Sequence, residues 1–168
     1  MVDCMKKFIV VIISFIFLIS CSEQVPEIDP ANPAYAYYTV FEALINENAA
    51  LNNESIYIAL DLADVKLSDT VPLIQLVQNY CDTNGYTLLL MGFEELKEKG
   101  YIDYTDTDII HFKEGMRISF HDRELTDTKL VTSGHKWKGG LSAIGMTFTV
   151  EKVFDTWHIK GKDNPVIA

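Results

Sequence analysis

The sequence predicts an α+β fold: an antiparallel β-sheet of about four to six strands with two or three helices packed on one face. Three observations lead there. Apolar residues recur at helical spacing in the first half of the chain, at Ala34, Tyr37, Tyr38, Phe41, Leu44 and Ile45 and again at Leu73, Ile74, Leu76, Val77, Tyr80 and Cys81. From Ile109 onward the apolar residues alternate instead, broken by short turn sequences. Consecutive strands with short connections pair antiparallel, and a sheet with one apolar face must bury it beneath helices.

The first helix opens at Asn32-Pro33, a capping side chain followed by a proline whose missing N–H is not needed there, and fades in the asparagine-rich stretch from Asn46 to Asn53. Ile56, Ile58, Leu60 and Leu62 mark a strand with one buried face. Ser68-Asp69 caps a second helix, with Pro72 in its first turn and Asn84-Gly85 at its end. Tyr86 to Met91 reads as a short strand, and Phe93 to Lys99 as a short helix stopped by Gly100. Ile109 to Phe112 and Met116 to Phe120 flank Lys113-Glu114-Gly115 and predict a hairpin. Lys129 to Ser133 is a further strand, and Ser142 to Phe154 turns through Asp155-Thr156 into Trp157-His158-Ile159. The segment Thr147 to Lys160 resembles the closing strands of cystatin-like and nuclear-transport-factor-like domains. The strand at Ile56 to Leu62 departs from that pattern.

The N-terminus reads as an address. Lys6 and Lys7 precede an unbroken apolar run from Phe8 to Ile19, interrupted in polarity only by Ser14. A charged start and about a dozen apolar residues fit a signal peptide, whereas a membrane span needs roughly 20. Leu18-Ile19-Ser20-Cys21 resembles the lipobox of bacterial lipoproteins, in which a small residue precedes the cysteine that takes a diacylglyceryl group. The resemblance implies cleavage before Cys21, lipidation of its thiol and anchoring at the cell envelope. Ser22 after the cysteine implies the outer membrane in a Gram-negative cell. Asp3 is unusual in such a start, and Met5-Lys6-Lys7-Phe8 is a more typical opening. The expected organisation is a signal peptide at 1–20, an acidic proline-containing tether at 21–31 and a single domain at 32–168.

The formal charge of −10 becomes about −11 once residues 1–20, with Lys6, Lys7 and Asp3, are set aside. Such an acidic body repels nucleic acid and anionic headgroups, so we expect neither as an electrostatic partner. Removal of the leader takes Cys4, and Cys21 is the lipid site, so Cys81 is left without an intrachain disulfide partner and reads as a buried, inert thiol.

Four candidate sites can be weighed. Gly134-His135-Lys136-Trp137-Lys138-Gly139-Gly140 is a cationic, aromatic patch in an acidic protein. Trp137 can stack on a flat ligand while His135, Lys136 and Lys138 meet an acidic group; the plainer reading is a connection between strands with Trp137 packed on the sheet. In His121-Asp122-Arg123-Glu124 a histidine beside carboxylates has the makings of a general base, against the plainer reading of a solvated turn. Asp103, Asp106, Asp108 and Glu114 contain the first-to-last spacing of a calcium loop, but Asp108 stands where the tight turn needs glycine, and the third and fifth positions are Thr105 and Thr107. His111, His121, His135 and His158 lack close ligand spacing, so neither calcium nor zinc is expected. Nor does any phosphate loop, dinucleotide fingerprint or nucleophile elbow suggest a cofactor.

The sequence therefore points to a membrane-anchored envelope lipoprotein whose domain binds a small molecule or a protein without catalysing a reaction. Two alternatives stand beside it: an envelope hydrolase using His121 or His135 with a carboxylate, and an immunity or inhibitor lipoprotein whose acidic surface suits a basic partner.

Overall fold

A computed structural model describes residues 27–104 and 110–167. The proposed leader, Cys21 and the candidate ligands Asp106 and Asp108 lie outside the described residues. The fold is α+β. In chain order it runs α1 (Ala34–Asn46), a 3-10 turn (Ala49–Asn52), β1 (Tyr57–Asp61), α2 (Val71–Asn84), β2 (Thr87–Leu89), α3 (Phe93–Glu98), β3 (Ile102–Tyr104), β4 (Ile110–Phe112), β5 (Gly115–Leu125), β6 (Lys129–Gly139), β7 (Ser142–Val153), β8 (Thr156–Lys162) and β9 (Val166–Ile167). Among the described residues no helix is long and apolar enough to cross a membrane.

The helix boundaries follow local chemistry. Asn32 Oδ1 accepts the Ala34 N–H at 2.9 Å, and Asp69 Oδ1 accepts the Val71 N–H at 3.0 Å, so each helix start gains a side-chain acceptor. Gly85, at φ 77°, ends α2 in the left-handed conformation that glycine adopts without penalty. The last residue of the acidic segment packs on the domain: the Trp157 indole N–H donates to the Ala31 carbonyl at 3.2 Å.

The sheet differs from the sequence expectation in three ways. Among the described residues it has nine strands and is mixed, because β1 pairs parallel with both β2 and β5. The β1–α2–β2 unit is a parallel crossover, which the alternating pattern of residues 56–62 could not distinguish from an antiparallel edge. The helices also do not share one face. Ile58 and Leu60 pack with α1 and α2 in the larger core, whereas the alternate residues Tyr57 and Ala59 pack with Leu96 and Phe93 of α3 on the other side. Finally, Ile110–Phe112 and Gly115–Leu125 do not form a hairpin. Both run antiparallel to β6: Gly139 pairs with Ser142 of β7 on one edge and His111 of β4 on the other, so β4 and β5 lie end to end along that second edge. The chain jogs there rather than reversing. Glu114 adopts φ 49°, and its carbonyl accepts the Ile56 and Tyr57 N–H groups at 2.6 and 3.0 Å, tying the jog to the start of β1.

The antiparallel strands β5, β6, β7 and β8 follow each other in space, with long ladders between them. Helix α1 lies across β6, β7 and β8, burying Tyr37, Val40, Phe41 and Leu44 against Ile118, Phe120, Leu130, Phe148 and Val150. Cys81 is buried in this core, and burial pushes its thiol up to about 12, as expected of an unreactive cysteine. The opposite face of these strands carries the candidate site.

Candidate functional site

The antiparallel register assembles the site. Strand residues two apart share a face, so β5 presents Arg117, Ser119 and His121 on the side away from α1. On β6 the corresponding residues are Trp137, His135 and Ser133, paired in that order with the three on β5. On β7 they are Ala143, Gly145 and Thr147, paired in turn with those on β6. His135 occupies the centre of this three-by-three array. The β7 row is small: Ala143 offers only a methyl group, the His135 ring leans over Gly145 into the place of a Cβ, and a hollow remains above the row. A cavity of about 610 Å³ fills it, walled by Phe93 on one side and by Asn164 and Val166 on another.

The aromatic wall is continuous with the charge. The Phe93 and Trp137 rings meet edge to face at 5.3 Å between centroids, and the Arg117 guanidinium lies 5.8 Å from the Phe93 centroid. Arg117 is mostly buried, with 19% of its side chain exposed, yet it is poorly satisfied. Its Nη2 donates to Ser119 Oγ at 3.3 Å, its Nε lies 3.8 Å from Asp61 Oδ2, and Nε has no hydrogen-bond partner. Asp61 is occupied elsewhere as well, with Oδ1 accepting the Ala63 N–H at 3.1 Å.

The two histidines that stand apart in sequence come together here. The His121 and His135 rings contact edge to face at 5.2 Å. His121 Nδ1 meets Asp64 Oδ2 at 2.5 Å. The His135 imidazole is held below its ordinary value by burial, with His121 and then Arg117 adding repulsion, which favours the neutral ring. A second depression, lined by Asp64, Lys66, Asp122 and Arg123, adjoins the first across His121, Ser133 and His135.

The other residues picked out from sequence are placed differently. The glycine-flanked motif is not a connection: residues up to Gly139 belong to β6. Lys136 points to the α1 face and is fully buried. Its ammonium donates to the carbonyls of Ile45, Glu47 and Asn48 and to Asn52 Oδ1, at 3.2, 2.5, 3.3 and 3.1 Å, where α1 ends and leaves acceptors unpaired. Lys138 donates to the Asn53 carbonyl and to Ser55 Oγ. Both lysines are thus engaged by the chain itself, and His135 and Trp137 are the members of the motif whose side chains face the cavity.

The carboxylates next to His121 in sequence also serve elsewhere. Asp122 Oδ2 accepts Tyr37 Oη at 2.5 Å and the Lys66 N–H at 2.7 Å, and Glu124 pairs with Lys129 at 2.8 Å. The acid at His121 is Asp64, 57 positions away. Asp103 pairs with Lys113 at 3.0 Å. Among the described residues no group of three or more His, Cys, Asp or Glu is placed to hold a metal ion. His158 meets Thr156 Oγ1 at 2.8 Å, and His111 has a buried Nδ1 without a partner, away from the array.

Sequence reasoning missed Arg117, Phe93 and Asp64. A signal for Arg117 was present, because Arg117-Ile118-Ser119-Phe120-His121 alternates polar and apolar residues, which puts Arg117, Ser119 and His121 on one face of a strand. Phe93 and Asp64 reach the site through a helix and a loop whose positions no local pattern encodes.

No protein-family model matches the chain, no curated protein matches it, and no solved structure matches its fold.

Proposed function

We propose that the chain is a lipid-anchored envelope protein whose domain is a non-enzymatic binding module for a small molecule, seated in the hollow over β5, β6 and β7. The observation that carries the binding half is the 610 Å³ cavity, in which an apolar wall of Phe93 and Trp137 meets convergent polar groups from Arg117, His135 and Ser133. Pockets of about 300–1,000 Å³ that are largely apolar, with a few fixed polar groups, are the usual form of small-molecule sites. The anchor rests on Lys6-Lys7, the apolar run and Leu18-Ile19-Ser20-Cys21. Two or more acyl chains hold a protein firmly, at about 0.8 kcal/mol per buried methylene.

Each half has its own test. Cells fed labelled palmitate should incorporate it into the protein, and Cys21→Ala should abolish the label and leave unprocessed precursor; equal labelling of the variant refutes the anchor. For the domain, a small-molecule panel titrated against the full chain in mild detergent should yield ligands that quench Trp137 emission, with the quench lost in Trp137→Phe. Trp157 serves as the internal reference, because it packs against Ala31 on the far side of the sheet.

A second reading, a hydrolase, draws on the 2.5 Å contact between Asp64 and His121, since a carboxylate that orients an imidazole is the usual support of a general base. Its mark is turnover of an ester or amide panel that His121→Gln abolishes without loss of ligand binding.

A further inference from the structure

The chemistry of the cavity lining goes further than its size. Its side chains are rich in donors that the protein leaves unused. The guanidinium of Arg117 has five N–H groups; one hydrogen bond to Ser119 is made, and the buried Nε has none. Guanidinium groups are always charged and favour the planar, two-oxygen geometry of a carboxylate. Trp137 brings an indole N–H, which can only donate. His135, at the centre of the array, offers a ring nitrogen whichever tautomer it takes. Acidic groups are present but set apart: Asp61 stands 3.8 Å behind the guanidinium, Asp64 is taken by His121, and Asp163 lies at the far rim with Asn164.

Donors gathered beside an apolar aromatic wall call for a ligand with a flat body and an acceptor head. The charge on that head is limited by Asp61, which already offsets part of the Arg117 charge. One guanidinium with a carboxylate behind it suits a single negative charge and not a doubly charged phosphate. Helix α3 opens at Phe93 on the cavity wall, but its six residues align few peptide dipoles and add little positive potential, and no glycine-rich loop is among the lining residues.

We infer that the cavity takes a planar, monoanionic carboxylate, its carboxyl group gripped by Arg117 and its ring laid against Trp137 and Phe93. This rests on the binding reading above and adds the ligand class to it.

The test uses four probes titrated by calorimetry and tryptophan emission into the full chain in mild detergent: naphthalene-2-carboxylate, its primary amide, cyclohexanecarboxylate and phenyl phosphate. The aromatic acid should bind at least tenfold more tightly than the amide and more tightly than either of the other two. The double variant Arg117→Met/Asp61→Asn removes the charge without leaving an acid unpaired, and it should bind acid and amide alike. Arg117→Lys keeps the charge but loses the fork, and should fall between them. Melting curves of each variant without ligand separate misfolding from lost recognition. If the amide binds as well as the acid, or the double variant keeps the tenfold preference, the ligand class is wrong while the binding reading stands. If phenyl phosphate wins, the single-charge argument fails. If none of the four binds, both the ligand class and the binding reading fall.

Discussion

The two faces of strands β5, β6 and β7 are built from alternate residues of the same segments, yet they are opposite in character. On the α1 side, Ile118, Phe120, Leu130, Phe148 and Val150 are all buried, and even the charge of Lys136 is met by four oxygens. On the other side the same strands offer an arginine with an unbonded nitrogen, two touching histidines, and a glycine and an alanine where bulk would close the surface. One face is closed by packing, with single unpartnered oxygens left at Thr132 and Asp122. The other keeps a guanidinium nitrogen unpaired beside an open hollow.

Breaking the packed face should have the largest effect. Lys136→Met keeps the apolar stem but strips a donor from the carbonyls of Ile45, Glu47 and Asn48 and from Asn52. Buried acceptors without partners cost about 1–3 kcal/mol each, and some will relax toward water, so a loss of about 3–5 kcal/mol is expected by urea denaturation. The variant should also change the alkaline behaviour. Burial pushes the Lys136 ammonium down to about 8 from 10.5, with Glu47 opposing. Between those values the unfolded chain binds more protons than the folded one, so this group makes stability rise with pH above about 8. Tyr37 and Tyr38 act the other way. Burial, with help from Asp122 and Glu42 respectively, raises both phenols, so their contribution to stability falls above pH 10. The wild type should therefore gain stability relative to Lys136→Met from about pH 8 to 10.5, while both proteins lose stability above pH 10 through the tyrosines; parallel curves from pH 8 to 10 would show that Lys136 does not titrate there in the folded state.

Two glycines give a sharper, matched comparison. A Cβ at Gly134 would stand 2.8 Å from Leu44 Cδ1 and 3.1 Å from Val40 Cγ1, beneath α1. A Cβ at Gly145 would stand 2.7 Å from His135 Nδ1, on the open face. The clash is similar and the surroundings are not. Leu44 and Val40 are fully buried in a packed core, so Gly134→Ala should cost about 1–3 kcal/mol. His135 has a cavity to swing into, so Gly145→Ala should cost less than about 1 kcal/mol while weakening ligand binding. Equal destabilisation by both, read from urea midpoints, would mean that the open face is as closely packed as the core.

This contrast also explains what was legible in the sequence. Helices α1 and α2 were readable because their apolar stripes and capping residues are local. The strand character of β5 and β7 was readable because alternation is local too. The parallel pairing of β1 was not, since Tyr57 to Asp61 looks the same beside either kind of neighbour. Nor was the fate of Gly134 to Gly139, where two glycines and two lysines suggested a turn. In β6 those features answer to the other layers: Gly134 makes room for Leu44, and Lys136 caps α1. His121 and His135 were each noticed separately. Their contact depends on a register between β5 and β6 that is fixed by the whole ladder, not by any short stretch.

The smallest expected effect concerns His135 and distinguishes the faces by pH. Its imidazole is held low by burial, then by His121 and Arg117. Below the ordinary histidine value of about 6.5 the unfolded chain takes up a proton that the folded chain resists, so this residue makes stability fall as pH drops through that range. The same proton has the opposite consequence for an anionic ligand. A bound carboxylate beside His135 would favour the imidazolium, so affinity should rise over the pH range in which the free protein weakens. His135→Gln, which retains a polar side chain but does not titrate, should flatten both trends between pH 7 and 5. Melting curves with and without naphthalene-2-carboxylate measure the two together. If acid weakens the wild type and the variant equally, the acid sensitivity belongs to the carboxylates elsewhere in the chain, and His135 is no more exposed to protonation strain than a residue on the closed face.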